Sequence, residues 1–267
     1  MFSMHGFTNL GNTCYFNSAV QVLLHIREIS SHILNNTYDG DCTFTKSYEK
    51  IVRIYFSTQE TKVFTLGPVL TEFIKIFPRF KIGMPHDTQD AIFCIIDILE
   101  KSYPRIKDLV YGETNQITIS PVSKNISKIP FCVYILNVKR GVKNINIMLN
   151  ESSKWNVIED YVDDNGKKHH VATTRNVFSK YPQILIVSFD KKSYVEIDEE
   201  LKLGNNVYEL QSTIIHKGIQ YGGHYMSTVK INNEWLIQDD HNLGKLVQFP
   251  KEDNHFVLVY NLKTPSC

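Results

Sequence analysis

Near the start of the chain a cysteine sits between two kinds of sequence. In "GFTNLGNTCYFNSAVQVLL" (residues 6–24), Cys14 follows a polar stretch rich in Gly and Asn and precedes apolar residues at 16, 19, 20, 23 and 24. That spacing fits a 3.6-residue period, so a helix is expected to start at Cys14. A helix N-terminus is electropositive and presents unpaired N–H groups, which favours thiolate and lowers the thiol pKa. The same amides can hold an oxyanion if the sulfur attacks a carbonyl. Gly11 permits a tight turn, and Asn9 and Asn12 offer side-chain amides as further donors. Taken alone, Cys14 also fits a small buried residue capping a helix, the commoner role of a free cysteine.

A thiolate nucleophile needs a base, and the base needs an orienting group. Of the ten histidines, His224 is distinct: it follows Gly222-Gly223 and opens the β-prone run "HYMSTVKI". Paired glycines let a second backbone or an extended substrate pass close by. Beyond a hairpin tip at Asn232-Asn233 and Trp235 comes "QDD", residues 238–240. Two strands joined by that hairpin would return Asp239 beside His224. A strand end with a solvated pair of aspartates fits the same residues.

These groups lie at opposite ends of the chain, so the elements between must bring them together. Helical periodicity recurs over 44–56, over 66–77 with Pro68 in the first turn, and over 87–103 with Asp87 or Thr88 as N-cap. The last of these is expected to bury Ala91, Ile92, Ile95, Ile96 and Leu99. Between Pro104 and Lys180 the β-prone stretches "QITIS", "FCVYILNV" and "INIML" alternate with polar turns. A short helix is expected over Trp155 to Tyr161 and a turn at Asp164-Asn165-Gly166. The last third reads as strands: "QILIVSF", "VYELQSTIIHK", "GGHYMSTVKIN", "EWLIQDD" and "HFVLVYNL". Helices first and strands later predict an α+β fold with one antiparallel sheet.

The 267 residues carry 42% hydrophobic and 21% charged residues and a net charge of +1, a globular composition with no bulk affinity for nucleic acid. No apolar run approaches the ~20 residues of a membrane span, and the N-terminus lacks the pattern of a signal peptide. The five cysteines are scattered, without a C-x-x-C pair, so neither a disulfide framework nor a structural zinc site is expected. An intracellular monomer, cytoplasmic or nuclear, without metal or cofactor follows as the expectation. Acidic pairs at Glu159-Asp160 and Asp163-Asp164, the run Asp198-Glu199-Glu200, and His169-His170 read as solvated turns. Trp155 and Trp235 read as core, His216 as a packed or edge residue, and Cys42, Cys94 and Cys267 as structural or incidental.

The motifs also carry a resemblance. "GFTNLGNTCYFNS" closely resembles the Cys box of the ubiquitin-specific proteases, the papain-like deubiquitinases, and "YELQSTIIHKGIQYGGHYMSTVKINNEWLIQDD" resembles their His box. "TQDAIFCIIDIL", "YPQILIVSFDKKSY" and "HFVLVYNL" resemble further blocks in the family's order. The resemblance implies one papain-like catalytic domain over 1–267: a helical thumb (about 1–104), reduced zinc-free fingers with the start of an antiparallel β palm (about 105–180), and the rest of the palm with the His box (about 181–267). It implies Cys14 as nucleophile, Asn9 in the oxyanion hole with help from Asn12, His224 as base, and Asp239 orienting it with a share for Asp240. It further implies that Asp90 binds an arginine of ubiquitin's tail and that Gly222, Gly223 and Tyr225 shape a channel for the terminal Gly-Gly. The implied reaction is hydrolysis after that Gly-Gly through a Cys thioester, with ubiquitin and ubiquitinated proteins as partners. A protease for another ubiquitin-like modifier and a catalytically silent ubiquitin-binding module are the alternatives. Phe93 replaces an acidic residue and Gln238 an aromatic one in the family pattern.

Overall fold

From Met4 to Val110 the chain is mostly helical. In the computed structural model the described residues are 4–138, 141, 144–163, 165–190, 194–219 and 222–263; Asp164 and Cys267 lie outside them. The first part runs β1 (Gly6–Phe7), α1 (Cys14–Leu24), α2 (Arg27–Asn35), α3 (Thr43–Ser57), β2 (Val63–Phe64), α4 (Gly67–Ile76), α5 (Thr88–Ser102) and α6 (Pro104–Val110). Every residue of α1 is buried. A helix with no solvent face must sit inside the domain, and its polar side chains must find partners there. Gln21 donates to the Tyr55 hydroxyl at 2.8 Å, and Asn17 reaches the far end of the chain, as described below. α5 starts where Asp87 accepts from the Gln89 N–H at 2.8 Å. It buries Ala91, Ile92, Ile95, Ile96 and Leu99 and packs against α1.

Next come β3 (Gly112–Ile119), β4 (Lys124–Phe131), β5 (Tyr134–Leu136), α7 (Ile145–Ser152), β6 (Asn156–Val162) and β7 (Lys168–Lys180). The rest comprises β8 (Ile184–Phe189), β9 (Val195–Glu196), β10 (Glu200–Leu203), β11 (Asn206–Ile219), β12 (Gly222–Ile231), β13 (Glu234–Asp239), β14 (Asn242–Lys245), β15 (Glu252–Asp253) and β16 (His255–Leu262). The principal sheet has the order β14-β13-β12-β11-β16-β8-β5, with β10 on β11. A separate antiparallel sheet, β4-β3-β7-β6, occupies the middle of the chain. α1 lies on β12 and β11, so the helix that opens with Cys14 rests on the sheet that carries His224. No helix of the described residues is long and apolar enough to cross a membrane.

Several expectations are corrected. There is not one antiparallel sheet: two larger sheets form, and β5 joins β8 in parallel. Strand alternation marks a strand but not its partner. "INIML" is helix α7, not a strand. Asn144 caps it by accepting from the Asn146 and Ile147 N–H groups at 3.0 and 3.3 Å, and burial of Ile145, Met148 and Leu149 selects the helical period. Trp155 to Tyr161 holds a strand, β6, paired along β7. Trp155 is 43% exposed, not core, with the Arg175 guanidinium 4.6 Å from its ring centre; Trp235 is buried. His169 is not a solvated turn residue but buried, donating from Nε2 to Asp163 at 2.9 Å. The run 198–200 is fully partnered: Asp198 by Asn144 and Asn146, Glu199 by Lys230 and Trp235, Glu200 by Lys263.

His25 makes the stability pH-dependent. Its Nδ1–H donates to the Gln21 carbonyl at 2.8 Å and its ring meets Tyr55 edge-on at 5.7 Å. Burial pushes its pKa down to about 4, whereas an unfolded histidine titrates near ~6.5. The unfolded chain therefore takes up the proton first, and stability present above ~6.5 is lost as the pH falls toward about 4. His5 and His255, also lowered by burial, act in the same sense. Urea midpoints should decline across this window, and His25→Gln should flatten part of the slope.

Candidate active site

The loop before Cys14 is wound around one side chain. Asn9 Oδ1 accepts from the Gly11 N–H at 2.9 Å and from the Thr13 N–H at 3.2 Å, while the Leu10 N–H donates to Thr13 Oγ1 at 2.9 Å. Asn12 sits in the left-handed region at φ 53°, tolerable for Asn and costly for most residues. Its side chain donates to the Gly83 carbonyl at 2.7 Å. Asn12 thus holds the loop before α5 against the Cys loop.

Cys14 opens α1 and is buried. Its sulfur faces the backbone N–H groups of Tyr225, Tyr15 and Cys14 itself, with the Asp240 carboxylate nearby. The amides favour thiolate, as the helix start predicts, but burial outweighs them and pushes the thiol above its ordinary value, with Asp240 adding to the rise. Alkylation of the substrate-free protein by iodoacetamide should therefore accelerate with pH into the alkaline range. A rate already level at neutral pH would mean a standing thiolate.

His224 and Asp239 lie on neighbouring strands. β12 and β13 are antiparallel, with Ser227 opposite Gln238 and Ile231 opposite Glu234, and Asn232 and Asn233 turn the hairpin at φ 51° and 65°. His224 Nε2–H donates to Asp239 Oδ1 at 2.5 Å. A neutral imidazole bonded this way carries its lone pair on Nδ1, which makes no other hydrogen bond among the described residues. The Cys14 sulfur lies against the N–H of the residue following His224, so Nδ1 is the nitrogen left for proton transfer.

Asp240 does something else. It is buried, its Oδ1 accepts from Asn17 at 2.8 Å and its Oδ2 from Asn9 at 2.7 Å, and its carbonyl accepts from the Phe7 N–H at 2.9 Å. His224 Nε2 is 3.9 Å from Oδ2, beyond hydrogen-bond reach. One carboxylate therefore ties the β13–β14 turn to the Cys loop and to α1. The sequence reading missed Asn17, Gly6 and Gln89. A Cβ on Gly6 would stand 2.8 Å from the His241 carbonyl oxygen, so only glycine lets β1 pass under the turn. Gln89 Oε1 accepts from the buried Ser188 hydroxyl and ties α5 to β8. The one signal for Asn17 and Gln89 was a polar residue on an otherwise buried helix face.

Gly222 and Gly223 are exposed at the start of β12. A side chain at Gly223 would strike the buried imidazole of His216 and stand 2.8 Å from the Lys217 carbonyl oxygen; packing within the β11–β12 hairpin already requires glycine there. Tyr225 is buried edge-on to His216 at 4.5 Å. Its phenol faces the Thr88 backbone near Asp87 and Asp90, and burial raises its pKa. Asp90 is exposed in the first turn of α5. The His224, Asp239 and Asp240 ligand atoms lie within 4.8 Å of one another, close enough for a cation. Binding one would displace the His224 proton from Asp239 and compete with the amides on Asp240. Cys132, the single cysteine of the middle region, is free and buried.

The family model described as ubiquitin carboxyl-terminal hydrolase matches residues 5–260. The chain belongs to the ubiquitin carboxyl-terminal hydrolase family. It is 28% identical over 116 residues to ubiquitin carboxyl-terminal hydrolase 15 of Rattus norvegicus, covering 40% of this chain and 12% of that protein. It is 22% identical to ubiquitin carboxyl-terminal hydrolase 4 of Arabidopsis thaliana over 89% of this chain and 84% of that one. The solved SAGA DUB module containing Ubp8, bound to monoubiquitin, matches with a TM-score of 0.83 at 20% identity, covering 98% of this chain and 69% of that one. The same module bound to ubiquitin aldehyde matches with a TM-score of 0.84 at 19% identity, covering 98% and 70%. The fold is thus the papain-like α+β fold of ubiquitin carboxyl-terminal hydrolases. Phe93 lies on the surface of α5, while Gln238 is buried on β13, beside the strand that carries His224.

Proposed function

We propose that the chain is a thiol-dependent deubiquitinase, hydrolysing the peptide or isopeptide bond after the terminal Gly-Gly of ubiquitin. The observation that carries this is the imidazole held through Nε2 by Asp239, one residue from the backbone N–H that faces the Cys14 sulfur. His224 Nδ1 takes the Cys14 proton as the sulfur adds to the glycine carbonyl. The negative oxygen is received by the Cys14 N–H and by the Asn9 amide hydrogen not engaged by Asp240. The imidazolium passes its proton to the departing lysine amine, the C–N bond breaks, and a thioester remains. His224 then deprotonates a water that adds to the thioester, and collapse returns the thiol. A nucleophile with a raised pKa suits this order, since the proton leaves only when a carbonyl is in place.

Family membership supports the substrate class, and the two structural relatives are bound to monoubiquitin and to ubiquitin aldehyde. In this reading the exposed Asp90 faces an arginine of the tail, and Gly222-Gly223 lines the passage of two glycines. Ubiquitin bearing a C-terminal electrophile should form a one-to-one covalent adduct, detected by mass, that is lost in Cys14→Ala. An adduct with another Gly-Gly modifier but not with ubiquitin would move the specificity. Binding without any adduct would leave a silent ubiquitin-binding module.

A further inference from the structure

Gln238 is a polar side chain with 2% exposure, immediately before Asp239. Both ends of its amide are engaged. Oε1 accepts from the Ser227 hydroxyl at 3.2 Å, and Ser227 is its partner across the pair on β12, the strand carrying His224. Nε2 donates to the His5 carbonyl at 3.2 Å. His5 is itself rigid: it is fully buried, its Nδ1 accepts from the Lys62 N–H at 3.1 Å, and its ring stands edge-on to Tyr55 and Phe64 at 4.7 and 5.1 Å. From His5 the backbone continues through Gly6, in contact with His241, and Phe7, bonded to Asp240, into the loop that ends at Cys14. An apolar side chain at 238 could bond neither to Ser227 nor to His5.

We propose that Gln238 is a positioning residue for the hydrolysis, a role that rests on the deubiquitinase reading above. Its amide sets the Asp239–His224 pair against the strand leading to the nucleophile by holding β13 to β12 and to the segment before β1. Misplacing a catalytic pair by about 1 Å can cost on the order of 10²-fold in rate without touching substrate affinity. Gln238 is buried and both ends of its amide are engaged within the protein, so its loss should lower kcat and spare KM.

The test uses the whole chain and ubiquitin carrying a C-terminal fluorogenic amide. Gln238→Met keeps the length of the side chain and removes both bonds. It should lower kcat by about tenfold to a hundredfold, leave KM within about twofold, and leave alkylation of Cys14 by iodoacetamide unchanged. Ser227→Ala removes one bond and should lower kcat by a smaller factor with the same unchanged KM. In the double variant the two losses should be less than multiplicative. Wild-type kcat in Gln238→Met, or a loss confined to KM, overturns the proposal. If Gln238→Met does not fold, Ser227→Ala decides in the same way. A wild-type chain with no turnover and no electrophile adduct overturns the deubiquitinase reading itself, and this role with it.

Discussion

Asp239→Asn should fold and bind ubiquitin but turn it over about 10³–10⁴-fold more slowly. The carboxylate accepts the His224 Nε2 proton at 2.5 Å, which leaves the lone pair on Nδ1. An asparagine amide can turn its NH2 toward Nε2 and stabilise the opposite tautomer, with the proton on Nδ1 and no base toward Cys14. The loss should fall on kcat, with the dissociation constant for ubiquitin, measured in a Cys14→Ala background, unchanged. Asp240 stands 3.9 Å from the same nitrogen, but its two oxygens are engaged by Asn17 and Asn9. It is therefore not free to substitute. A loss below about tenfold would show that Asp240 does take over, and the Asp240→Asn double variant would then carry the missing factor.

Asn9→Ala should lower kcat by about 10²–10³-fold, the usual effect of removing one oxyanion donor. Two further consequences separate it from a change at the sulfur. Asp240 loses the donor to Oδ2, and the turn at Gly11 and Thr13 loses its acceptor. A modest fall in thermal stability should accompany the kinetic loss, of about 1–3 kcal/mol for a polar group left unsatisfied. Ubiquitin binding should stay intact, since the proposed reading assigns the tail to Asp90 and to the Gly222-Gly223 passage. Near-normal hydrolysis by Asn9→Ala would remove this side chain from the mechanism and leave the Cys14 N–H as the oxyanion donor.

Much of the site is legible in the chain because its parts are local. A polar Gly/Asn loop followed by a 3.6-period run places Cys14 at a helix start, and helix α1 begins there. A hairpin with Asn232-Asn233 at its tip places Asp239 beside His224, and the two are bonded. Asp87 and Pro68 mark helix starts by local chemistry that any context preserves. The β-prone stretch "INIML" is instead α7, selected by the Asn144 cap together with the burial of Ile145, Met148 and Leu149.

What the sequence determined by itself is therefore the set of reactive groups and the short-range turns that aim them. Those depend on backbone preferences and side-chain chemistry within a few residues. The tertiary structure decided how those groups behave. Burial and the Asp240 field set the direction of the Cys14 thiol, against the helix N-terminus. Bonds spanning 223 and 231 residues made Asp240 a strut rather than a second partner for His224. The His216 ring, not a substrate, already requires glycine at 223. Desolvation and long-range hydrogen bonds depend on which distant segments meet, and no local pattern of residues encodes that.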